Sequence, residues 1–344
     1  MAFSAFYVIT FSNYFIIIYD NCADHRIGRC VCSSVFSQLN AARHKKIVFI
    51  HDNNGYFFTF ALKNEGMQVY LSIIQHLKAK YHEKEAKAMA RMILEDYFAI
   101  KMLDVYMGKD IAFSEKKKDE LRKILLRLDK YEPIQYILGK TSFCGYLFKV
   151  TPDVLIPRSE TEELVEWVFQ SCGSLNSVLD IGTGSGCIPI AISKKYPMAR
   201  VVSCDISNAA LSIARENNEY NHSTVEFKCL DILHELPDGK FDVIVSNPPY
   251  VCPSEKKLME KNVLDWEPHQ ALFVPQEDPL LFYKRIAFIG LSILNDGGQL
   301  FFEINPLYKN EIQIILFNLK YKKIEIRKDF AGKDRMVKAI KTNV

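Results

Sequence analysis

The sequence predicts an α/β chain: a doubly wound, seven-stranded sheet preceded by a small all-helical domain. Three observations predict it. From residue 177 onward, apolar β-branched runs alternate with helical stretches, the pattern of a mainly parallel sheet with helices on both faces. Four of those runs end, in order, at Gly182-Thr183-Gly184-Ser185-Gly186, Asp205, Asp231 and Asn247-Pro248-Pro249-Tyr250. Between residues 67 and 140 the apolar period is that of helices instead.

Composition bounds the reading before any motif does. The 344 residues are 49% hydrophobic and 25% charged, ordinary values for a globular protein of about two domains. A net charge of +3 is too small for a surface devoted to coating nucleic acid. The nine cysteines are scattered, with no CxxC pair, and Cys30-x-Cys32 is too tight for a zinc half-site. Free thiols in a reducing, cytoplasmic setting are expected.

Residues 1–66 differ from the rest. Ala5 to Tyr19 is rich in Phe, Tyr and Ile but is broken by Ser12 and Asn13. It falls short of the roughly 20 apolar residues that span a bilayer. No basic stretch precedes it and no small-residue cleavage site follows, so neither a membrane span nor a signal peptide is expected. Ile47 to Leu62 reads as a hairpin around Asp52-Asn53-Asn54-Gly55. The segment is an atypical extension, expected to be dispensable, upstream sequence read as protein from too early a start, with Met67 the natural beginning. The competing expectation is a membrane-associating or partner-binding extension.

From Met67 the helical domain begins. Val69, Ile73 and Leu77 form one stripe, and Met89, Met92, Ile93, Tyr97 and Ile100 a second. Ser114 caps a third helix with Leu121, Ile124, Leu125 and Leu128 inward. Lys116 to Lys118 read as a solvated face, with a docking surface for an acidic partner as the alternative. Pro133 and Gly139 close the bundle. The third domain, 141–344, opens on strands or a hairpin from Thr141 to Val150. Ser159 with Glu162 three residues on reads as a capping box for the helix through Trp167. Arg158 and Glu162 are either helix-start structure or part of a loop closing the site.

Ser177 to Gly186 is a strand running into a glycine turn, with a helix from Cys187 to Lys195. The glycines at 182, 184 and 186 follow Asp180, giving DxGxGxG; a dinucleotide fingerprint would need a glycine at Cys187. That spacing is the pattern of S-adenosylmethionine (SAM) sites. Asp205, about 20 residues on, is placed for ribose hydroxyls, and Asp231 for the adenine edge; an ordinary turn or cap is the alternative for either, more so for Asp231. Phe241 to Val245 is a buried strand stopped by two prolines. Asn247 offers a side-chain acceptor, Pro248 a carbonyl on a stiff backbone, Tyr250 a flat face. Together they suit a planar NH2 group; the bland alternative is a strand-ending turn. A helix over about 280–294, a Gly297-Gly298 turn into a strand at 299–304, a helix over 308–319 and strands near 324–327 and 336–340 complete the sheet, one of them antiparallel.

These motifs together resemble the release factor glutamine methyltransferases (the PrmC/HemK family). The resemblance runs from Met67 to the C-terminus. It rests on EPIQYILG at 132–139, the Leu155 to Glu162 segment, the GTGSG loop, NPPYV, the Glu267-Pro268 to Ala271-Leu272 stretch and GKDRMV at 332–337. A chain begun at Met67 would have 278 residues, about the family's length. The resemblance implies a SAM-dependent (class I) methyltransferase domain and a helical substrate-docking domain. It implies methyl transfer from SAM to the side-chain amide nitrogen (N5) of the glutamine in the GGQ motif of peptide chain release factors. Gly182, Thr183, Gly184, Ser185, Gly186, Asp205, Asp231 and Asn247 would then contact the cofactor. Asn247, Pro248, Pro249 and Tyr250 would hold the glutamine. No metal, stable nucleic acid or membrane partner is expected, and a monomer is. The family pattern departs at Ile232, where an aromatic is often found, and at Asn305, where glycine is common. An adenine-N6 methyltransferase acting on DNA or RNA shares NPPY and is the alternative, disfavoured by the modest charge; a non-catalytic SAM-binding scaffold is a third.

Overall fold

The computed structural model describes residues 65–109 and 111–342, together with the backbone of four strands, Tyr7–Phe11, Tyr14–Ile18, Val48–Asp52 and Gly55–Thr59. The chain divides into two compact units, Met1–Leu71 with Ile100–Phe113 and Ser72–Ala99 with Ser114–Val344. In the first, Tyr7–Phe11 pairs antiparallel with Tyr14–Ile18, and Val48–Asp52 with Gly55–Thr59. The second pairing is the expected hairpin; its turn residues Asn53 and Asn54 lie outside the described residues. Within the same unit the Phe113 N–H donates to Glu65 Oε2 (3.1 Å).

The helical stretch follows the expected stripes, with corrections at its start and at Tyr97. The first helix, Glu65–Leu77, starts two residues before Met67. Its Ile73 and Leu77 are buried. Tyr97, expected inward, is exposed. Residues Ile93–Tyr97 form a π turn, closed by the Phe98 N–H donating to the Ile93 carbonyl at 3.1 Å. The wider turn slips the helical phase by one residue, so Leu94 and Phe98 take the inward positions. Helix Glu115–Leu128 is capped by Ser114, whose Oγ accepts from the Lys117 N–H at 3.4 Å, and it buries Leu121, Ile124 and Leu128, with Leu125 half-buried. Lys118 pairs with Glu115 on its solvated side. A short helix, Ile134–Leu138, sits between Pro133 and left-handed Gly139.

The sheet has seven strands: β1 (Ser177–Ile181), β2 (Arg200–Asp205), β3 (Val225–Cys229), β4 (Phe241–Ser246), β5 (Leu294–Glu303), β6 (Lys322–Lys328) and β7 (Asp334–Ile340). Their spatial order is β6-β7-β5-β4-β1-β2-β3. All neighbours are parallel except β7, antiparallel to both β5 and β6. The chain order reverses between β1 and β4, the crevice where open α/β sheets bind ligands. The Gly297-Gly298 turn lies inside β5, where it shifts the register against β4.

Alternation along the strands fills two cores. Val178, Val201, Val243, Val245 and Phe301 pack with helices Ser159–Ser171 and Cys187–Lys195 on one face. Leu179, Val202, Ile244, Leu300 and Phe302 pack with helices Leu281–Ile293 and Lys309–Asn318 on the other. Strands buried on both faces read as continuous apolar runs for this reason. The hairpin Lys140–Phe143 with Tyr146–Lys149 precedes the sheet. Asn217 pins it: its Oδ1 accepts from the Lys149 N–H and its Nδ2 donates to the Lys149 and Ser185 carbonyls.

Candidate active site

The carboxyl ends of β1, β2 and β4 meet at a cavity of about 430 Å³, within the usual range for small-molecule sites. Gly182, Gly184, Asp205, Asp231, Asn247, Pro248 and Pro249 all line it. Asn247 therefore stands on the same open space as Gly184. A second depression, about 540 Å³, lies by Asp242 and Gly297–Gln299 at the starts of β4 and β5. The Asp242 carboxylate there is already taken by the Asn176 and Ser177 N–H groups and by Asn295, so nothing converges on a ligand.

The glycine turn is built by its backbone. Gly182, Gly184 and Gly186 have φ of +80°, +53° and +81°, conformations that side chains disfavour. The Gly182 and Thr183 N–H groups donate to the Cys204 carbonyl, continuing the β1–β2 ladder. The Gly184 N–H donates to Asp205 Oδ2 at 2.9 Å. A Cβ on Gly184 would meet nothing within 4 Å, so its missing side chain leaves room on the cavity. A Cβ on Gly186 would lie 3.2 Å from Ala214 Cβ: this glycine serves helix packing and does not line the cavity. Thr183 and Ser185 are buried and do not line it either.

Asp205 has one oxygen on Gly184 N–H and the other on Ser207 N–H (2.9 Å), so it shapes the turn as well as facing the cavity. Asp231 lies two residues beyond the end of β3, not on it. Its Oδ1 accepts from the Leu233 N–H at 3.0 Å, an Asx turn, so the turn alternative is realised while the residue still lines the cavity. Ile232 lines the cavity and is buried; an aromatic face comes from elsewhere, from Phe282 at the start of helix Leu281–Ile293. Nothing in the sequence around Phe282 marks it.

Within β1, Asp180 is fully buried and its Oδ2 accepts from the Ser203 hydroxyl (2.7 Å). Burial pushes its carboxyl up to about 7.

The capping box does not form. The cap residue is Arg158, and no side chain caps the helix. Ser159 Oγ donates to Glu160, and Glu162 Oε1 instead accepts from the Cys144 N–H at 2.6 Å, in the hairpin turn. Cys144 and Gly145 both have positive φ there, leaving that N–H without a ladder partner until Glu162 takes it. Arg158 Nη2 pairs with the buried Glu267 at 2.5 Å. This ties the end of the segment whose Pro152–Leu155 line the cavity to the start of the one whose Pro268, Gln270 and Ala271 do. Burial raises the Glu267 carboxyl and Arg158 pulls it back. Tyr136 Oη donates to the Val154 carbonyl (2.7 Å) and Trp266 Nε1 to the Lys130 carbonyl (3.0 Å), so residues of the 114–139 stretch brace the same two segments.

The Asn-Pro-Pro-Tyr turn leaves β4 at Ser246 and is held at its far end. Val251 bridges Phe273, and Asn305 Nδ2 donates to the Tyr250 carbonyl (3.2 Å). Tyr250 is half-buried and does not line the cavity; its hydroxyl donates to Glu303 Oε1 (3.0 Å). The Asn247 amide donates from Nδ2 to Thr161 Oγ1 (3.1 Å), whose hydroxyl donates to Glu303 Oε2 (2.6 Å). Thr161 and Glu303 were not singled out as site residues from the sequence.

The lining has a definite electrostatic character. Three aspartates, Asp153, Asp205 and Asp231, line the cavity, and no Lys, Arg or His does so among the described residues. Such a site rejects phosphates and accepts a nucleoside carrying positive charge. Asp205 is placed where it could accept from ribose hydroxyls, and Ile232 and Phe282 offer apolar walls that could flank a base. The residues present fit SAM, a sulfonium nucleoside, and not a dinucleotide.

Comparison with known proteins agrees. Residues 68–139 match the family model of the PrmC N-terminal domain, and residues 161–265 that of the methyltransferase small domain. The release factor glutamine methyltransferase of Bacteroides thetaiotaomicron is 48% identical over 269 residues, 78% of this chain and 97% of that protein. The chain belongs to the release factor glutamine methyltransferase family. The Flavobacterium psychrophilum member is 42% identical over 271 residues, covering 77% of this chain and 95% of that one. Among solved structures, a methyltransferase from Pyrococcus furiosus superposes with a TM-score of 0.44 at 18% identity, over 67% of this chain and all of that one. For a member of this family the two matched segments are the expected pair, a helical module followed by the sheet.

Proposed function

We propose that this chain transfers a methyl group from SAM to the side-chain amide nitrogen of a glutamine in peptide chain release factors. One observation carries the reading: the Asn247 and Pro248 acceptors stand on the same phosphate-averse cavity as Gly184 and Asp205. Bound SAM supplies an already activated electrophilic methyl group. Gly182, Gly184, Asp205 and Asp231 would hold it, with Ile232 and Phe282 against its base.

The protein's own task is alignment. Asn247 Oδ1 and the Pro248 carbonyl each accept one hydrogen of the substrate NH2. This fixes the amide plane and turns the nitrogen lone pair toward the methyl group. Both acceptors also favour the positive charge that grows on nitrogen. Pro248 and Pro249 make the acceptor backbone stiff. Orientation of this kind accounts for up to roughly 7–11 kcal/mol of barrier lowering in well-ordered systems. Tyr250, which does not line the cavity, backs the turn through its hydrogen bond to Glu303. The excess proton leaves to water after transfer.

The helical segment 67–140 docks the release factor, and residues 1–66 are dispensable for activity. The enzyme works as a cytoplasmic monomer without stable nucleic-acid contact. No helix of the described residues is long and apolar enough to cross a membrane. The test is methyl incorporation from labelled SAM into purified release factor, with its GGQ glutamine variant and an adenine-containing oligonucleotide alongside. Label in the wild-type factor alone is expected. Equal label in the glutamine variant, or label in the oligonucleotide instead, overturns the reading.

A further inference from the structure

Asn247 has an ambiguity that its position alone does not resolve. A carboxamide has an acceptor end and a donor end of the same shape, and rotation by half a turn exchanges them. With the oxygen toward the substrate, Asn247 accepts from a substrate NH2. With the nitrogen there, two NH2 groups oppose each other and the site cannot align its substrate. Something must select the orientation.

The selector is visible in the chain of hydrogen bonds behind Asn247. Thr161 is 3% exposed and Glu303 2%, so neither exchanges its partner for bulk water. Their bond is 2.6 Å, and Asn247 Nδ2 lies 3.1 Å from Thr161 Oγ1. An ionised carboxylate only accepts. With Glu303 ionised, the single hydroxyl hydrogen of Thr161 goes to Glu303, and Thr161 has only lone pairs left for Asn247. Asn247 must present its NH2 inward and its oxygen outward. The other Glu303 oxygen takes the Tyr250 hydroxyl at 3.0 Å, so one carboxylate also seats the aromatic residue of the turn.

We propose that Glu303, acting through Thr161, is the positioning residue that sets the acceptor end of Asn247 toward the substrate. The proposal rests on the glutamine-methyltransferase reading above. Neither residue touches the reacting atoms. Their effect is on the direction in which a whole row of hydrogen bonds runs.

The direction depends on the charge of Glu303. Protonated, it can donate to Thr161, which frees the threonine hydroxyl to donate to Asn247 Oδ1, and the amide turns over. Burial raises the Glu303 carboxyl, while the Thr161 and Tyr250 hydrogen bonds and the Arg335 guanidinium oppose the rise and Glu160 adds to it. Arg335 is itself paired with Asp329 (3.2 Å), and Tyr283 donates to the Glu303 backbone carbonyl rather than to its side chain. An acid-side loss of turnover is therefore expected to report Glu303.

The experiment compares Thr161→Val, Thr161→Ser and Glu303→Gln with wild type whose methylation of release factor has been established first. If wild-type enzyme leaves release factor unlabelled, the functional reading has failed and the relay is not at issue. Folding is checked by urea titration and SAM binding by calorimetry. Thr161→Val should bind SAM within threefold of wild type while kcat falls at least thirtyfold, and Thr161→Ser should restore kcat to within threefold. Glu303→Gln, which donates or accepts equally well, should lower kcat about tenfold and abolish the acid limb of its pH profile. Without substrate, the Asn247 side-chain NH2 resonance, assigned by its loss in Asn247→Asp, should show slowed proton exchange in wild type and Thr161→Ser but not in Thr161→Val. A folded Thr161→Val with kcat within twofold of wild type overturns the proposal. So does a Thr161→Ser variant as impaired as Thr161→Val, or a Glu303→Gln variant with an unchanged acid limb.

Discussion

Arg158→Leu tests how the cavity is closed. The Glu267 side chain is 1% exposed and Arg158 34% exposed, and they share one short charge-assisted bond. Removing one partner of a buried pair costs about 3–5 kcal/mol, but water reaches Arg158, and the carboxyl has an escape. It can take a proton, which from an ordinary value near 4.3 costs about 4 kcal/mol at pH 7 and about 1.4 less for each unit below. The expected loss is thus about 2–4 kcal/mol at pH 7. Its sign with pH follows from linkage. Without Arg158 the folded value of Glu267 rises further above the unfolded one, so the native state holds the proton longer. Stability then falls as pH rises from about 4 toward 7. The variant should be nearly as stable as wild type at pH 5 and clearly weaker at pH 7. Urea unfolding followed by tryptophan fluorescence reads this directly, since Trp266 adjoins Glu267. Arg158→Leu with Glu267→Gln should recover most of the stability at pH 7, yet bind SAM more weakly than wild type, because the tie between the two cavity-lining segments is gone. A loss under 1 kcal/mol, or one independent of pH, would refute the reasoning.

Asn247→Ala should lower kcat at least a hundredfold while changing SAM affinity less than fivefold; comparable losses in both would make Asn247 chiefly a cofactor contact. Gly184→Ala and Gly186→Ala should separate binding from folding. The first places a methyl group in open space on the cavity and should weaken SAM binding tenfold or more at a strain cost of about 1–2 kcal/mol. The second meets Ala214 and Ile190 and should destabilise more, by about 2–4 kcal/mol; the reverse ranking in urea titrations would contradict this division. Asp180→Asn removes a buried carboxyl whose native value, about 7, lies above its unfolded one, so wild type loses stability as pH climbs from about 4 to 7. The variant should gain about 2–3 kcal/mol relative to wild type between pH 5 and pH 8, and a constant difference would exclude burial as the cause.

What could be read from the chain beforehand was whatever chemistry is local. Two prolines after a β-branched run must end a strand, and three glycines at alternate positions are free to take conformations that side chains disfavour. The ends of β1, β2 and β4 were therefore legible to within a residue, while Thr183, Ser185, Gly186 and Tyr250 fall outside the cavity those ends enclose. Where local rules failed, a partner or a turn that the spacing does not announce had taken over. Ser159 and Glu162 have the spacing of a cap, but Glu162 bonds an unladdered N–H in a hairpin turn 18 residues away. Tyr97 fits a 3.6-residue stripe, but one π turn shifts the phase. Asp231 sits where a ligand acid would, yet its first partner is its own turn.

The machinery around Asn247 was hidden for a deeper reason. Thr161 and Glu303 are 142 residues apart, and Asn247 lies 86 residues from Thr161. Each has a satisfactory local reading: a polar residue in a first helical turn, and an acid at the end of β5. Only closure of the sheet, with β5 beside β4 and helix Ser159–Ser171 packed across them, makes the three one hydrogen-bonded row. Motifs are readable where a residue's partner is the ligand, because the ligand's chemistry dictates the residue type. A residue whose partner is another side chain need only complement that side chain, and many choices do. The direction of the Asn247 amide belongs to this second kind: on the proposal above it is a polarity imposed from the buried end.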